Sequence, residues 1–171
     1  GLHATVADHV VYGRIVFPGA GYLEMARAAA CASCQSALSG AVLHRVYFMQ
    51  PLVVSDGLLV ACAVDADARR FEISSSLVDG QGEQTVHCAG DAEAVEATSS
   101  AFDTLATVAA CPHPVDARVL CAGFHSAGLE YGPAFRALDA VWTTRSGAQA
   151  AASLRRRSDM QGTQAHPGDL D

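Results

Sequence analysis

The stretch Asp8–Ala30, DHVVYGRIVFPGAGYLEMARAAA, decides how the rest of the 171-residue chain has to fold. Pro18 precedes a run that predicts a helix over Gly19–Ala32, because proline suits the first helical turn, where its missing N–H would have no partner. Only Glu24 and Arg27 are charged in this run, so we expect the helix to be buried on most of its sides. Other segments therefore have to wrap around it.

Four strand-like segments follow the helix, and the first is rich in β-branched and aromatic residues. Turn signals at Asp56–Gly57 and Asp79–Gly80 separate them. Pro51 lies within the first segment and predicts an edge strand or a bulge there. One helix followed by an antiparallel meander is an α+β layout. The segments are AVLHRVYFMQPLVV, GLLVACAVD, RFEISSSLV and EQTVHCAGDAEA.

The composition along the chain predicts two subdomains. Residues 1–95 form the first, and residues 96–114, rich in Ala, Ser and Thr and ending in Cys-Pro-His-Pro, read as a linker. Residues 115–171 start a second unit, with a short helical stretch, VDARVLCAGFHSAG, and two strands joined at Ser146–Gly147.

The composition also excludes several classes of function. A net charge of −7 argues against a nucleic-acid surface. No apolar run reaches the roughly 18–20 residues that cross a bilayer, and no secretory signal is visible. The cysteines are scattered through apolar surroundings, which favours reduced thiols in the cytoplasm. We interpret Arg155–Arg157 as a solvated turn or strand end rather than a phosphate site.

A Cys-x-x-Cys pair at Cys31 and Cys34 invites a metal or redox interpretation. A zinc site would need a second pair of ligands, and Cys111-Pro-His113 does not supply a convincing one. A thioredoxin-like pair should open a helix, whereas this pair lies near the end of one. We therefore expect neither a metal nor a redox role.

His9 has two interpretations. A lone histidine in an apolar run is most often a core residue whose ring N–H meets a backbone carbonyl. However, Gly13 allows a close backbone approach, and the helix that starts after Pro18 presents free N–H groups and a positive dipole end. In such a pocket the imidazole should stay neutral at pH 7, which is the form that a general base needs.

Two downstream stretches are also notable. GLEYGPAFR, residues 128–136, contains Tyr131-Gly132-Pro133, which by itself reads as a turn. AHPGDLD, residues 165–171, reads either as an acidic tail or as a loop from which a helix starts near Asp169.

Together these stretches resemble the dehydratase domains of type I polyketide synthases and the related fatty acid synthases. His9-x-x-x-Gly13-x-x-x-x-Pro18-Gly19 is similar to that family's H-x-x-x-G-x-x-x-x-P motif. Tyr131-Gly132-Pro133-x-Phe135 is similar to its Y-G-P-x-F, and His166-Pro167-x-x-Leu170-Asp171 to its H-P-x-x-L-D. The resemblance spans essentially the whole chain.

The resemblance implies an α+β double hotdog, in which each of two sheets wraps a long helix. It also implies that His9 is the catalytic base and Asp171 the catalytic acid, held protonated by an apolar site. Backbone N–H groups near Gly13 and the helix start would polarise the thioester carbonyl, and Tyr131 would line the substrate tunnel. The implied substrate-binding residues are Gly13, Pro18, Gly19, Tyr131, Gly132 and Pro133.

The implied activity is removal of water from a β-hydroxyacyl thioester to give the enoyl thioester. The substrate would arrive on the phosphopantetheine arm of an acyl carrier protein, so no cofactor or metal is expected. The implied partners are that carrier protein, the other domains of a multidomain synthase and a second copy in a homodimer.

Two alternatives stay open from the sequence. One is a double hotdog that binds an acyl chain without dehydrating it, either cyclase-like or inactive; the other is a single-hotdog thioesterase or hydratase that borrows its acid from a second protomer. Leu129 and Asp169 depart from the family's pattern. Because the chain stops at Asp171, we also expect a fragment that lacks the central helix of the second hotdog.

Overall fold

The computed structural model of the chain describes residues 5–33, 40–80, 82–96 and 108–171. Helix α1 spans Gly19–Ser33, as the sequence predicts to within one residue. Cys34 and residues 97–107 of the predicted linker lie outside the described residues.

A short hairpin precedes α1 and positions the segment that contains His9. Strand β1 (Val10–Val11) pairs with strand β2 (Arg14–Ile15) in antiparallel fashion. Tyr12 and Gly13 form the two-residue turn, with φ angles of 48° and 71°. Two positive φ angles define a type I′ turn, whose twist matches that of the strands it joins.

A four-stranded antiparallel sheet packs against α1, and all four strands contact the helix. The α+β layout predicted from the sequence is therefore confirmed. The side chains of β4 alternate between half-buried and exposed, as expected for a strand with one face toward a core. The strands are β3 (Gly40–Phe48), β4 (Leu58–Asp65), β5 (Arg70–Leu77) and β6 (Thr85–Val95).

The strand order β3-β6-β5-β4 corrects the predicted meander. β3 pairs with β6 instead of β4, and the segment between β3 and β4 bonds to the hairpin and to Phe17. Phe17 N–H donates to Leu52 O at 2.8 Å, and Val54 N–H donates to Ile15 O at 2.9 Å. β3 is an edge strand, as Pro51 predicted, but it ends before that proline.

The core lies between α1 and this sheet. Ala26 of α1 is fully buried, as are Ile73 and Cys88 on the facing strands. Half-buried side chains of β3 and β4 pack around this centre. The apolar helix predicted from the sequence is thus the element that the first half of the chain encloses.

The second half contains a three-stranded antiparallel sheet of order β7-β8-β9. β7 occupies positions that we assigned to the end of the linker, because its backbone pairs with β8. The two strands predicted around Ser146–Gly147 are present. The remaining elements are β7 (His113–Val115), α2 (Ala117–Ser126), a 3₁₀ turn (Pro133–Phe135), β8 (Leu138–Thr143), β9 (Ala150–Leu154) and α3 (Pro167–Leu170).

Candidate active site

His9 is buried immediately before β1, and the hairpin fixes its ring. Its carbonyl accepts the N–H of Val16, and its own N–H donates to Val6 O. The imidazole Nδ1 lies 2.6 Å from Val16 O. Because a carbonyl can only accept, Nδ1 carries the hydrogen, and Nε2 is the nitrogen that can take up a proton.

Asp171 reaches Nε2 of His9 from the opposite end of the chain. It follows α3, whose first turn is capped by the buried His166: Nδ1 of His166 accepts the N–H of Gly168 at 3.0 Å. The Asp171 N–H donates to Pro167 O at 3.0 Å. This geometry places Oδ2 of Asp171 3.2 Å from Nε2 of His9.

The pKa values of His9 and Asp171 result from opposing effects. Burial alone lowers the pKa of His9 and raises that of Asp171, in the directions predicted from the sequence. The hydrogen bond between the two side chains reverses both effects, with help from Val16 O at His9, so the pKa of His9 is raised and that of Asp171 is lowered. For the pair in direct contact, both pKa values therefore shift in the directions opposite to those that would favour a neutral imidazole beside a protonated carboxyl.

Tyr131 and Phe135 enclose the pair on one side. The ring centroids of Tyr131 and Phe135 lie 5.0 and 5.1 Å from that of His9. Burial, together with the adjacent Asp171 carboxylate, raises the pKa of Tyr131, so its phenol stays protonated and donates to that carboxylate. Tyr131 thus contacts both members of the pair.

Gly132 and Pro133 shape the loop that carries Tyr131. The Gly132 N–H donates to Asp8 O at 2.7 Å, and a Cβ at position 132 would lie 2.4 Å from the Asp8 carboxylate. Pro133 begins the 3₁₀ turn that brings Phe135 to His9. Only a glycine at position 132 lets the loop pack this closely against the residue before His9.

The other predicted substrate-binding residues lie around the hairpin and the start of α1. Gly13 is exposed in the hairpin turn, and a Cβ at its position would meet nothing within 4 Å. Its positive φ, not a close packing contact, is what requires glycine. Pro18 is buried and directly precedes Gly19, which begins α1 beside the ring of Phe48. Binding of substrate by these residues stays a prediction.

A cleft of about 190 Å³ borders the site on the side of Asp171. Tyr131, Phe135 and Asp171 form one wall of it. Apolar side chains from α2, β8 and β9 contribute to the other walls: Phe124, Leu138 and Leu154.

Three charged residues that no sequence motif marked as site residues also build this geometry. Asp8 accepts the N–H of Ala134 at 2.7 Å. Glu24 is buried on α1 and accepts the N–H of Gln164 at 2.6 Å, just before the segment that leads to Asp171. Arg157 pairs with Asp169 and is largely buried, so the solvated charge run predicted for the three arginines is wrong at this position. The signal for Glu24 was present, since a carboxylate in an apolar helix needs a partner.

Within the described ranges, no group of three or more His, Cys, Asp or Glu side chains is placed to hold a metal ion. Cys31 contacts Gly40 O, and its predicted counterpart Cys34 lies outside those ranges. Of the helices that the structure describes, none is long and apolar enough to cross a membrane.

Comparison with protein families gives two matches along the chain. Residues 1–76 match the model described as polyketide synthase dehydratase domain. Residues 99–171 match the model described as polyketide synthase dehydratase N-terminal domain. Together the two matches take in most of the sequence.

Curated relatives agree with these matches. Polyketide synthase ThaG of Burkholderia thailandensis is 34% identical over 164 residues, which cover 91% of this chain and 3% of that protein. A mycocerosic acid synthase-like polyketide synthase of Mycolicibacterium smegmatis is 30% identical over 178 residues, covering 99% of this chain and 8% of that protein. The chain therefore spans less than a tenth of the length of either relative.

Solved structures show the same fold. The dehydratase domain of a mycocerosic acid synthase-like polyketide synthase superposes with a TM-score of 0.76 at 30% identity, covering 99% of this chain and 61% of that chain. The dehydratase domain from the CurF module of curacin polyketide synthase gives a TM-score of 0.81 at 22% identity, covering 98% and 63%.

In this fold a buried histidine of the first half contacts an aspartate of the second half. The chain belongs to the dehydratase domains of polyketide synthases. The predicted family and the predicted double-hotdog class are confirmed.

Proposed function

We propose that this domain removes water from a β-hydroxyacyl thioester carried by an acyl carrier protein, with His9 as general base and Asp171 as general acid. The observation that carries the proposal is the 3.2 Å contact between His9 Nε2 and Asp171 Oδ2, with Nδ1 held by Val16 O. The proposal requires no metal and no cofactor.

The opposing effects on the pKa values explain how the pair would work. In direct contact, the hydrogen bond favours imidazolium and carboxylate, whereas burial favours the neutral forms. A substrate that enters between the two groups breaks their hydrogen bond, which shifts the balance at each group toward burial against the remaining contacts with Val16 O and Tyr131. The shared proton then moves from His9 to Asp171. This transfer leaves His9 as a neutral base and Asp171 as a protonated acid.

The elimination then transfers two protons, one from the substrate to His9 and one from Asp171 to the substrate. Nε2 of His9 takes the proton from the α-carbon while charge develops on the thioester oxygen. Asp171 gives its proton to the β-hydroxyl, the C–O bond breaks, and water leaves with the enoyl thioester. The products depart with His9 protonated and Asp171 ionised, which is the charge state of the pair in direct contact.

Neighbouring groups support these steps. The start of α1 at Gly19 presents the positive end of the helix dipole, which suits the developing oxyanion. Tyr131 donates to Asp171 and holds its carboxylate in place. The cleft beside Asp171 offers apolar walls for an acyl chain. The relatives are polyketide synthases many times longer than this chain, which supports other synthase domains as partners.

The test is incubation of the protein with a 3-hydroxyacyl thioester of an acyl carrier protein, followed by mass spectrometry. Loss of the mass of one water is the expected result. His9→Ala and Asp171→Asn should each lower turnover by a factor on the order of 100 or more. His44→Ala and Asp67→Asn alter exposed side chains and serve as matched controls.

An unchanged substrate mass with the wild-type protein would favour an acyl-binding domain that does not dehydrate. Full turnover by either active-site variant would remove that residue from its proposed role.

A further inference from the structure

We infer that Arg157 is a positioning residue that fixes the relative position of His9 and Asp171 through a second set of contacts, in addition to the direct contact between them. This inference rests on the function proposed for the pair. Arg157 is the last of three consecutive arginines. Arg155 and Arg156 are exposed, whereas the Arg157 side chain is only 16% exposed.

One end of this second set of contacts fixes the helix that leads to the acid. Nε of Arg157 donates to Oδ1 of Asp169 at 2.5 Å. Asp169 belongs to α3 and lies two residues before Asp171. The ion pair therefore anchors α3 beside the carboxylate that meets His9, and it pairs the Asp169 carboxylate with a cation.

The other end reaches the residue next to the base. Nη2 of Arg157 donates to the carbonyl oxygen of Ala134. The N–H of Ala134 donates to Oδ2 of Asp8 at 2.7 Å. Because Asp8 directly precedes His9, a path of three polar contacts joins the neighbour of the base to the neighbour of the acid.

Packing at Gly168 shows how tightly this path is built. A Cβ at position 168 would lie 2.5 Å from Ala134 O and 2.6 Å from Nη2 of Arg157. α3 therefore lies directly against the Ala134 peptide and the guanidinium. Any movement of Arg157 would also move α3, because the two are in close contact with no space between them.

The chemistry of arginine fits this role better than that of lysine. Two different N–H groups of the planar guanidinium bind two acceptors, Asp169 and Ala134 O, at a fixed angle. A lysine ammonium is a single flexible point charge and cannot fix both directions. Displacement of a catalytic group by about 1 Å is enough to cost a factor on the order of 100 in rate.

The first experiment measures dehydration by Arg157→Met in the protein that carries this chain. We expect kcat to fall by about 10- to 100-fold with KM within about twofold, because substrate contacts persist while the reacting groups are misplaced. Arg157→Lys should recover only part of kcat. Arg155→Met and Arg156→Met are the matched controls, and equal kcat values for all three methionine variants would overturn the inference.

A double variant separates positioning from simple charge neutralisation. Arg157→Met combined with Asp169→Leu removes both charges, so it leaves no half-buried ion unpaired even if the single variant folds poorly. We expect its kcat to stay as low as that of Arg157→Met. A return to wild-type kcat would show that the two residues only neutralise each other.

A third measurement does not depend on the reaction. The groups that face the His9 ring are Asp171 after α3, the Tyr131 hydroxyl and Val16 O. Loss of the cation alone would raise the pKa of His9, whereas movement of Asp171 away from Nε2 would lower it. We expect NMR titration of the His9 imidazole in the Arg157→Met variant to show a lower pKa than in the wild-type protein. An unchanged or higher value would overturn the inference, even if the wild-type protein proved inactive as a dehydratase.

Discussion

His9 and His166 are both buried histidines near the site, yet their surroundings give them opposite properties. Nδ1 of His9 donates to Val16 O, and the contact with Asp171 raises the pKa of the ring. Nδ1 of His166 accepts from Gly168 N–H, and burial, with a contribution from Arg157, lowers its pKa. His166 is therefore a neutral helix cap, and His9 is the histidine that can exchange a proton.

Gly132 gives a residue-scale prediction. A methyl group there would collide with the Asp8 carboxylate, so Gly132→Ala should lower the free energy of unfolding by about 1–3 kcal/mol. Gly123→Ala is the matched control, because a Cβ in α2 at that position meets nothing within 4 Å. The control should be neutral or stabilise the protein by up to about 1 kcal/mol. Urea denaturation measures both, and equal effects would contradict the proposed packing.

At the scale of elements, α3 depends on its neighbours. Four residues are too few for a helix that is stable alone. His166 caps it, Arg157 holds it through Asp169, and Glu24 of α1 binds the N–H of Gln164 just before it. Thus α1, the helix at the centre of the first half, also fixes the segment that carries Asp171.

Glu24 therefore gives an element-scale prediction. Glu24→Ala leaves the Gln164 N–H and the Arg27 guanidinium without their carboxylate, which should cost about 2–4 kcal/mol of unfolding free energy. Glu24→Gln retains one acceptor and should cost less. Chemical denaturation and hydrogen exchange at Gln164 check this, with exposed Glu72→Ala as control. Unchanged protection at Gln164 in Glu24→Ala would contradict the assigned contact.

The sequence predicted these elements well where a local pattern determines them. Helix α1 and the turn at Ser146–Gly147 follow from apolar patterning and turn chemistry. The pairing of β3 with β6 could not be predicted, because the two strands are far apart in the sequence and no local pattern encodes their contact. The motifs pointed to His9 and Asp171, but their charge states depend on the 3.2 Å contact between them. The role of Arg157 depends on the same long-range packing.

For the whole molecule, the site is the junction between the two halves. The hairpin that follows His9 is bound by the loop before Tyr131: Tyr12 N–H donates to Gly128 O at 2.8 Å, and Glu130 N–H donates to Val10 O at 2.8 Å. These backbone contacts bring His9 from one half to Asp171 from the other. Contacts that stabilise the junction therefore also set the geometry of the site.

This coupling predicts a pH dependence of stability. The ordinary pKa of histidine is 6.5, and because folding raises that of His9, its contribution is complete below pH 6.5 and is lost as pH rises through the folded value. The ordinary pKa of aspartate is 3.8, and because folding lowers that of Asp171, its contribution is complete above pH 3.8 and is lost as pH falls through the folded value. The pair should therefore stabilise the junction most between those two values.

Asp171→Asn measures this contribution. The difference in unfolding free energy between wild type and Asp171→Asn should be largest near about pH 5, on the order of 1 kcal/mol, and should become smaller as pH rises through the raised pKa of folded His9. Urea denaturation across this range provides the test, and exposed Asp67→Asn should give a difference that barely changes with pH. A difference for Asp171→Asn that stays constant from pH 5 to pH 9 would show that the two halves are not joined by an ion pair at this site.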